Sequence, residues 1–173
     1  MIGKVYSAAV TGIYAVPVEV QADVAPGIPY FELTGNLAGT TKEAKERVRI
    51  AIKNSKFQIN PSKITINMIP ANIRKEGTSY DLAVAVAVLT AVGVIAAKKV
   101  SGALFIGELG LDGGICNVSS ILPMTLCARD NGFTICYVPM GNVGEASLVT
   151  GIRVIGISSL RECVDYINNG CNC

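Results

Sequence analysis

Sixteen consecutive residues without a charge, Leu82 to Ala97 (LAVAVAVLTAVGVIAA), stand between Asp81 and the Lys98-Lys99 pair. No other stretch limits the fold as strongly. As a helix the run reaches roughly 24 Å, short of the ~30 Å hydrocarbon core of a bilayer. It is rich in alanine and follows the capping residues Thr78 and Ser79. The pattern therefore predicts a helix over 78–96, apolar on every side and buried in a protein core. A helix of that kind needs neighbours all round it. The chain supplies them, because 50% of its 173 residues are hydrophobic and only 16% are charged. That excludes a disordered tail and suffices for one domain with a sizeable core. The opening MIGKVYSAAV has neither the charged region nor the cleavage site of a signal peptide. Cytoplasmic residence, with no membrane partner, is the expectation.

Around the central helix the hydrophobic period changes along the chain. KVYSAAVTGI, YAVPVEVQADV and PYFELTG alternate as strands, separated by Gly12 and by Pro26-Gly27, and read as an antiparallel three-stranded meander. Thr40 followed by Glu43 matches a capping box, and Ala44, Val48, Ala51 and Ile52 recur at helical spacing up to Asn54. Lys63 to Ile69 reads as a strand stopped by Pro70. Beyond the central helix come a strand over 103–106, a hairpin around Leu111-Asp-Gly-Gly114 and a helix over 120–130. A strand over 134–139, a short helix over 142–149, a strand over 153–156 and a helix over 159–167 complete the chain. The fold class is α+β, in one domain.

Composition also limits the chemistry. Histidine is absent, which removes the commonest general base and metal ligand and excludes Ser-His, Cys-His and His-zinc mechanisms. Without an export signal the six cysteines read as thiols, not disulfides. Cys116, Cys127, Cys136 and Cys163 fall in apolar segments, as small buried hydrophobes. Cys171 and Cys173 form a C-x-C with no second pair at zinc spacing, so no metal is assigned. Gly35-x-x-x-Gly39-Thr-Thr-Lys42 has three residues between its glycines where a Walker A loop has four, and its lysine is displaced. It reads as a turn entering a helix. In Lys75-Glu-Gly-Thr-Ser-Tyr-Asp81, Thr78 or Ser79 caps the buried helix and Asp81 complements its dipole. The alternative makes Ser79 a nucleophile, which without histidine requires a lysine or carboxylate base.

Several segments together resemble one family. Lys4-Val-Tyr-Ser-Ala-Ala-Val10, Lys42-Glu-x-x-Glu-Arg-Val-Arg-x-Ala-Ile-Lys-Asn-Ser55 and Lys63-Ile-Thr-Ile-Asn67 carry the resemblance. So do Lys75-Glu-Gly-x-x-x-Asp81-Leu, Gly107-Glu-Leu-x-Leu-Asp-Gly113, Leu122-Pro-Met and Val138-Pro. They are similar, in this order, to the N-terminal domain of the ComM/YifB family of magnesium-chelatase-like AAA+ ATPases, over residues 1–169. The resemblance implies a fold like the proteolytic domain of Lon and the C-terminal domain of RadA. It places Ser79 where Lon-type proteases carry the serine of their Ser-Lys dyad, and Leu122 where they carry the lysine. Leucine cannot deprotonate a serine, and Lys98 and Lys99 lie at the far end of the helix. Ser79 is therefore expected to be a relic in a chain that is not an enzyme, with no catalytic residue. A degenerate or cryptic Ser79-dependent peptidase is the competing class. The resemblance also implies an AAA+ module beyond a linker that begins at 170–173. ATP and magnesium belong to that module, and no cofactor is expected in residues 1–169.

Charge divides unevenly along the chain. Residues 1–100 hold 12 Lys/Arg and 7 Asp/Glu, whereas 101–173 hold 3 and 6, so the net +2 conceals a basic half. Lys42, Lys45, Arg49, Lys53 and Lys56 recur at three- or four-residue steps and form a basic stripe on the first helix. One reading is a solvated face supported by pairs such as Glu43–Arg47. The other is sequence-independent contact with DNA phosphates. No aromatic residue is interleaved with the stripe, which favours backbone contact over single-strand stacking. The resemblance implies DNA branch migration during natural transformation. The expected function is thus a non-catalytic accessory domain that supports ring assembly and DNA engagement. Its expected partners are the AAA+ module, DNA and further copies in a homo-oligomeric ring. A purely structural oligomerisation module is the third possibility.

Overall fold

The apolar run occupies the middle of the molecule. A computed structural model of the chain describes residues 1–170. Strands β1 (Ile2–Thr11), β2 (Tyr14–Pro26) and β3 (Tyr30–Thr34) lead into a single turn, α1 (Gly39–Lys42), and then α2 (Ala44–Asn54). Next come β4 (Ser62–Ile69), α3 (Asp81–Ala91), a short α4 (Ala97–Val100) and β5 (Ala103–Phe105). A hairpin of β6 (Glu108–Leu109) and β7 (Ile115–Cys116) precedes α5 (Ile121–Asp130) and β8 (Ile135–Pro139). The remaining elements are α6 (Val143–Ala146), β9 (Arg153–Ile157) and α7 (Leu160–Asn169).

Seven strands form one mixed sheet in the order β3-β4-β2-β1-β5-β8-β9. It is antiparallel across β4-β2-β1 and parallel from β1 through β5 and β8 to β9. Helices cover both faces. Side chains of α2, α3 and α7 bury against Val5, Val18, Val20 and Ile66 on one side. Those of α5 and α6 bury against Ala8, Leu104, Cys136 and Val138 on the other. Every residue of α3 is buried, because the sheet lies beneath it and α2 and the β6–β7 hairpin lie around it. Gly3 lets β1 approach α3 closely, since a Cβ there would stand 2.0 Å from the Ala87 carbonyl oxygen. No helix among the described residues is long and apolar enough to cross a membrane.

The structure corrects five expectations. The first two strands pair as a hairpin, but β3 does not continue a meander. It runs parallel to β4, which inserts beside β2. β4 places buried Ile64, Ile66 and Met68 opposite Val24, Ala22 and Val20, a fuller apolar face than β3 offers with Leu33 alone. The central helix is shorter than 78–96. It stops at Ala91 because Gly93 adopts φ +85° and the Val94 amide donates to the Leu89 carbonyl at 2.9 Å, a Schellman closure.

No capping box forms at Thr40 and Glu43. Thr40 Oγ1 accepts from the Gly77 amide, and buried Thr41 donates towards the Lys75 and Gly77 carbonyls. Reciprocal capping occurs at α7 instead, where Ser159 Oγ accepts from the Glu162 amide and Glu162 accepts from the Ser158 amide. The short helix over 142–149 is a 3-10 turn at Met140–Asn142 followed by α6. Cys127, Cys136 and Cys163 are buried as expected, but Cys116 is exposed at the hairpin edge. Cys171 and Cys173 lie outside the described residues.

Two predictions follow from this packing. Gly3→Ala forces β1 away from α3 and lowers stability in urea denaturation by about 1–3 kcal/mol. Burial pushes the Cys136 thiol up to about 12 and raises Cys163 as well. Brief alkylation of the native chain, mapped by mass spectrometry, should mark Cys116 and leave Cys136 and Cys163 unmodified until denaturant is added.

Candidate functional site

The position of the basic stripe is set by the buried side of its helix. Ala44, Val48, Ala51 and Ile52 face the core, and Arg47 reaches past them to Asp81 at the start of α3. The contact is two-pronged, with Nε to Oδ2 at 2.7 Å and Nη2 to Oδ1 at 3.0 Å. The Leu109 amide donates to the same carboxylate at 3.1 Å, which brings the β6–β7 hairpin into the contact. Asp81 is fully buried. Desolvation pushes its carboxyl up, and Arg47 together with the Leu109 amide opposes that. Glu43 adds the expected i,i+4 contact to Arg47 at 3.7 Å.

With Arg47 held inward, Lys45, Arg49 and Lys53 project from the outer side of α2. Lys56 joins them just beyond the helix in a left-handed conformation, φ +66°. That conformation turns the chain so that the Phe57 amide donates to the Ile52 carbonyl at 3.2 Å and Phe57 enters the core. These four cations line one groove of about 1030 Å³ between α2 and the β3–β4 end of the sheet. Its apolar floor includes Phe31, Ile52, Phe57 and Ile64. Glu46 is the one carboxylate in the lining and pairs with Arg49 at 2.9 Å. Among the described residues, no carboxylate lies within ion-pair distance of Lys45, Lys53 or Lys56. Lys42 is exposed on α1 and does not line the groove.

Three groove aromatics, Tyr30, Phe31 and Phe57, were not associated with the stripe by sequence reasoning. Phe57 directly follows Lys56 and joins the groove through the left-handed turn there, whereas Tyr30 and Phe31 are distant from the stripe in sequence, and the insertion of β4 is what carries β3 to the edge beside α2. Arg161 was missed for the same reason. Its guanidinium lies 4.1 Å from the Phe57 ring centroid and donates to the Ser55 carbonyl at 2.8 Å.

Ser79 lies elsewhere. It lines a cleft of about 410 Å³ with Thr78, Glu76, Glu108, Ser119 and Ser120. Leu122, half-buried in the first turn of α5, comes two residues after the lining residue Ser120 and does not itself line the cleft. None of the cleft's lining residues is lysine or arginine. The lysine nearest Ser79 in sequence, Lys75, is fully buried and committed to other partners. Its Nζ donates to the Gly35 carbonyl at 2.6 Å, to the Met68 carbonyl at 3.3 Å and to the Pro70 carbonyl. Burial pulls that ammonium below the ordinary lysine range. Thr78 donates to Glu108 across the cleft.

In the glycine-rich turn, a Cβ on Gly35 would stand 2.2 Å from the Met68 carbonyl oxygen, so that end of the turn is packed against its own sheet, whereas Gly39 faces open space.

Removing Arg47 tests the buried contact. Arg47→Met should lower stability by about 3–5 kcal/mol in urea, because Asp81 is left buried and uncompensated. Combining it with Asp81→Leu should recover most of that loss. A double variant no more stable than the single one would refute the pairing.

Comparison with known proteins places the chain. Residues 20–142 match the family model described as subunit ChlI of magnesium chelatase. The chain is 33% identical to the competence protein ComM of Haemophilus influenzae over 164 residues, covering 95% of this chain and 32% of that protein. It is 36% identical to the uncharacterised protein YifB of Escherichia coli K12 over 147 residues, covering 85% and 29%. An uncharacterised protein of Mycobacterium tuberculosis H37Rv is 35% identical over 166 residues, covering 96% and 33%. The chain thus spans about a third of the length of the curated relatives it matches. It belongs to the magnesium-chelatase-like ChlI family, as a domain of the ComM/YifB type.

Proposed function

We propose that this chain is a non-catalytic accessory domain of a magnesium-chelatase-like AAA+ ATPase, with a Lon-protease-like fold. In this reading it supports assembly of a homo-oligomeric ring and engages DNA during branch migration in natural transformation. One observation carries the DNA part: four cations from α2 and its C-terminal turn stand on one wall of a groove that holds a single carboxylate. Such a wall favours a polyanion, and its contacts would be independent of sequence and sensitive to salt. The left-handed Lys56 supports the reading, because glycine occupies that conformation without the cost of about 1 kcal/mol that lysine incurs. The name of the Haemophilus relative, a competence protein, points the same way.

The non-catalytic part rests on the Ser79 cleft. A Lon-type serine needs a lysine base, the cleft lining includes none, leucine stands at the place of the Lon lysine, and the lining carboxylate Glu108 accepts from Thr78. ATP and magnesium are assigned to an AAA+ module of the same or a partner chain.

Fluorescence anisotropy with labelled DNA tests the first part. Affinity should fall steeply with salt, and Lys45→Glu combined with Arg49→Glu should reduce it at least tenfold. Lys56→Gly should weaken binding while raising stability by about 1 kcal/mol, two effects of opposite sign from one change. DNA affinity unaltered by these variants would leave a purely structural oligomerisation role. A serine-reactive fluorophosphonate is expected not to label Ser79, and labelling lost in Ser79→Ala would establish a peptidase.

A further inference from the structure

Between Lys4 and Glu19 the chain carries no charged residue. That segment holds most of β1, the Gly12-Ile13 turn and the first part of β2. β4 pairs with β2 only from Glu19 onwards, so Tyr14–Val18 and their β1 partners Ser7–Thr11 extend past it as a two-stranded ribbon. The tip of such a ribbon ordinarily carries Gly, Asn, Asp or Ser. Here Ile13 is 80% exposed and Tyr14 73%, with Val10 beside them at 40%. Natural sheets protect projecting edges with charge, and this one has none. An apolar tip of that kind marks a contact surface.

The groove beside α2 offers matching cover, but not within the same molecule. Ser62 lines the groove and pairs with Pro26, the last residue of β2. The turn lies at the other end of that 13-residue strand, about 40 Å away at ~3.3 Å per step. The tip can therefore reach only the groove of another copy. Phe31 and Ile59 stand half-buried in that groove, with Phe57 and Ile64 beneath them, and supply an apolar seat. Charge is complementary as well. Val10 shares the Ser79 cleft with Glu76 and Glu108, and no lysine or arginine lines that cleft, although Arg74 pairs with Glu76 at 3.2 Å. Among the described residues, Lys45, Lys53 and Lys56 of the groove have no carboxylate partner. The four groove cations outnumber Glu46 and the two incoming carboxylates, so a positive excess remains on α2 for DNA.

We propose that the β1–β2 turn of one copy docks in the α2 groove of the next, Ile13 and Tyr14 on its apolar seat and Glu76 and Glu108 toward its lysine rim. Turn and groove are different surfaces at opposite ends of β2, so the contact is head-to-tail. Every such contact leaves a groove free at one end and a turn free at the other, which closes into a ring or continues as a filament. The proposal rests on the ring-assembly reading above and names the two surfaces that make the ring.

The test follows self-association of the 173-residue chain by sedimentation equilibrium up to about 1 mM, where even weak contacts are populated. Ile13→Asp combined with Tyr14→Ser removes the tip, and Ile59→Asp spoils the seat. Each should weaken association at least about tenfold, with circular dichroism unchanged. An equimolar mixture of the two variants should form heterodimers with the parent affinity, because one intact turn and one intact groove remain. The tip variant should bind DNA as the parent does. p-Benzoylphenylalanine placed at Tyr14 leaves the groove untouched, and on irradiation it should crosslink to Gln58 or Pro61 of a second, isotope-labelled copy. Association indifferent to both variants, a mixture that fails to associate, or crosslinks outside the groove would overturn the proposal while leaving ring assembly standing. A chain that stays monomeric throughout would remove both.

Discussion

The contact between Arg47 and Asp81 is the constraint on which the arrangement depends. It joins three elements that are otherwise far apart in sequence: α2, the first turn of α3 and, through the Leu109 amide, the β6–β7 hairpin. A buried carboxylate is tolerated only when its oxygens find donors, and here both do. The geometry then decides the rotation of α2 about its own axis. Arg47 inward means Lys45, Arg49 and Lys53 outward, so the buried ion pair determines where the exposed charges stand. That role concerns position more than net stability, since buried pairs replaced together by apolar residues are often neutral.

A second buried charge organises the other end of the same segment. Lys75 holds the carbonyls of Gly35, Met68 and Pro70, which lie on two separate parts of the chain, the glycine-rich turn and the end of β4. Its own backbone exchanges hydrogen bonds with Asn36 and Ala38, so the glycine-rich turn is held by the main chain and side chain of one residue. Fully buried ammonium groups persist only when several acceptors surround them. The turn before α2 is therefore stiff, and α2 starts from a determined point.

What the sequence made legible divides along physical lines. The buried central helix, the amphipathic face of α2 and the last helix all rest on local periodicity, which a single chain displays directly. Strand neighbours do not. β3 was readable as a strand from Tyr30 to Thr34, yet its pairing with β4 depends on which strand fills the place beside β2, a competition between segments some thirty residues apart. The same limit governs the groove. Its cations were readable because they share one helix, whereas Tyr30 and Phe31 reach it only through the strand order. Thr40 and Glu43 show the converse: a local capping pattern is overridden by tertiary partners, since Thr40 accepts from the Gly77 amide and Glu43 faces Arg47.

Lys75-Glu-Gly-Thr-Ser-Tyr-Asp81 illustrates how one segment can carry a catalytic resemblance and a structural task at once. Lys75 gathers three carbonyls, Thr78 bonds Glu108, the Ser79 carbonyl accepts from the Gly107 amide, and Asp81 receives Arg47 and Leu109. These contacts reach the glycine-rich turn, the end of β4, α2 and the start of the β6–β7 hairpin. The Leu122 side chain takes part in none of them. The bonds that shape the cleft around Ser79 therefore do not pass through Leu122. A fold built this way separates the maintenance of its architecture from its chemistry, so the basic face of α2 can take on a binding role without altering the contacts that hold the domain together.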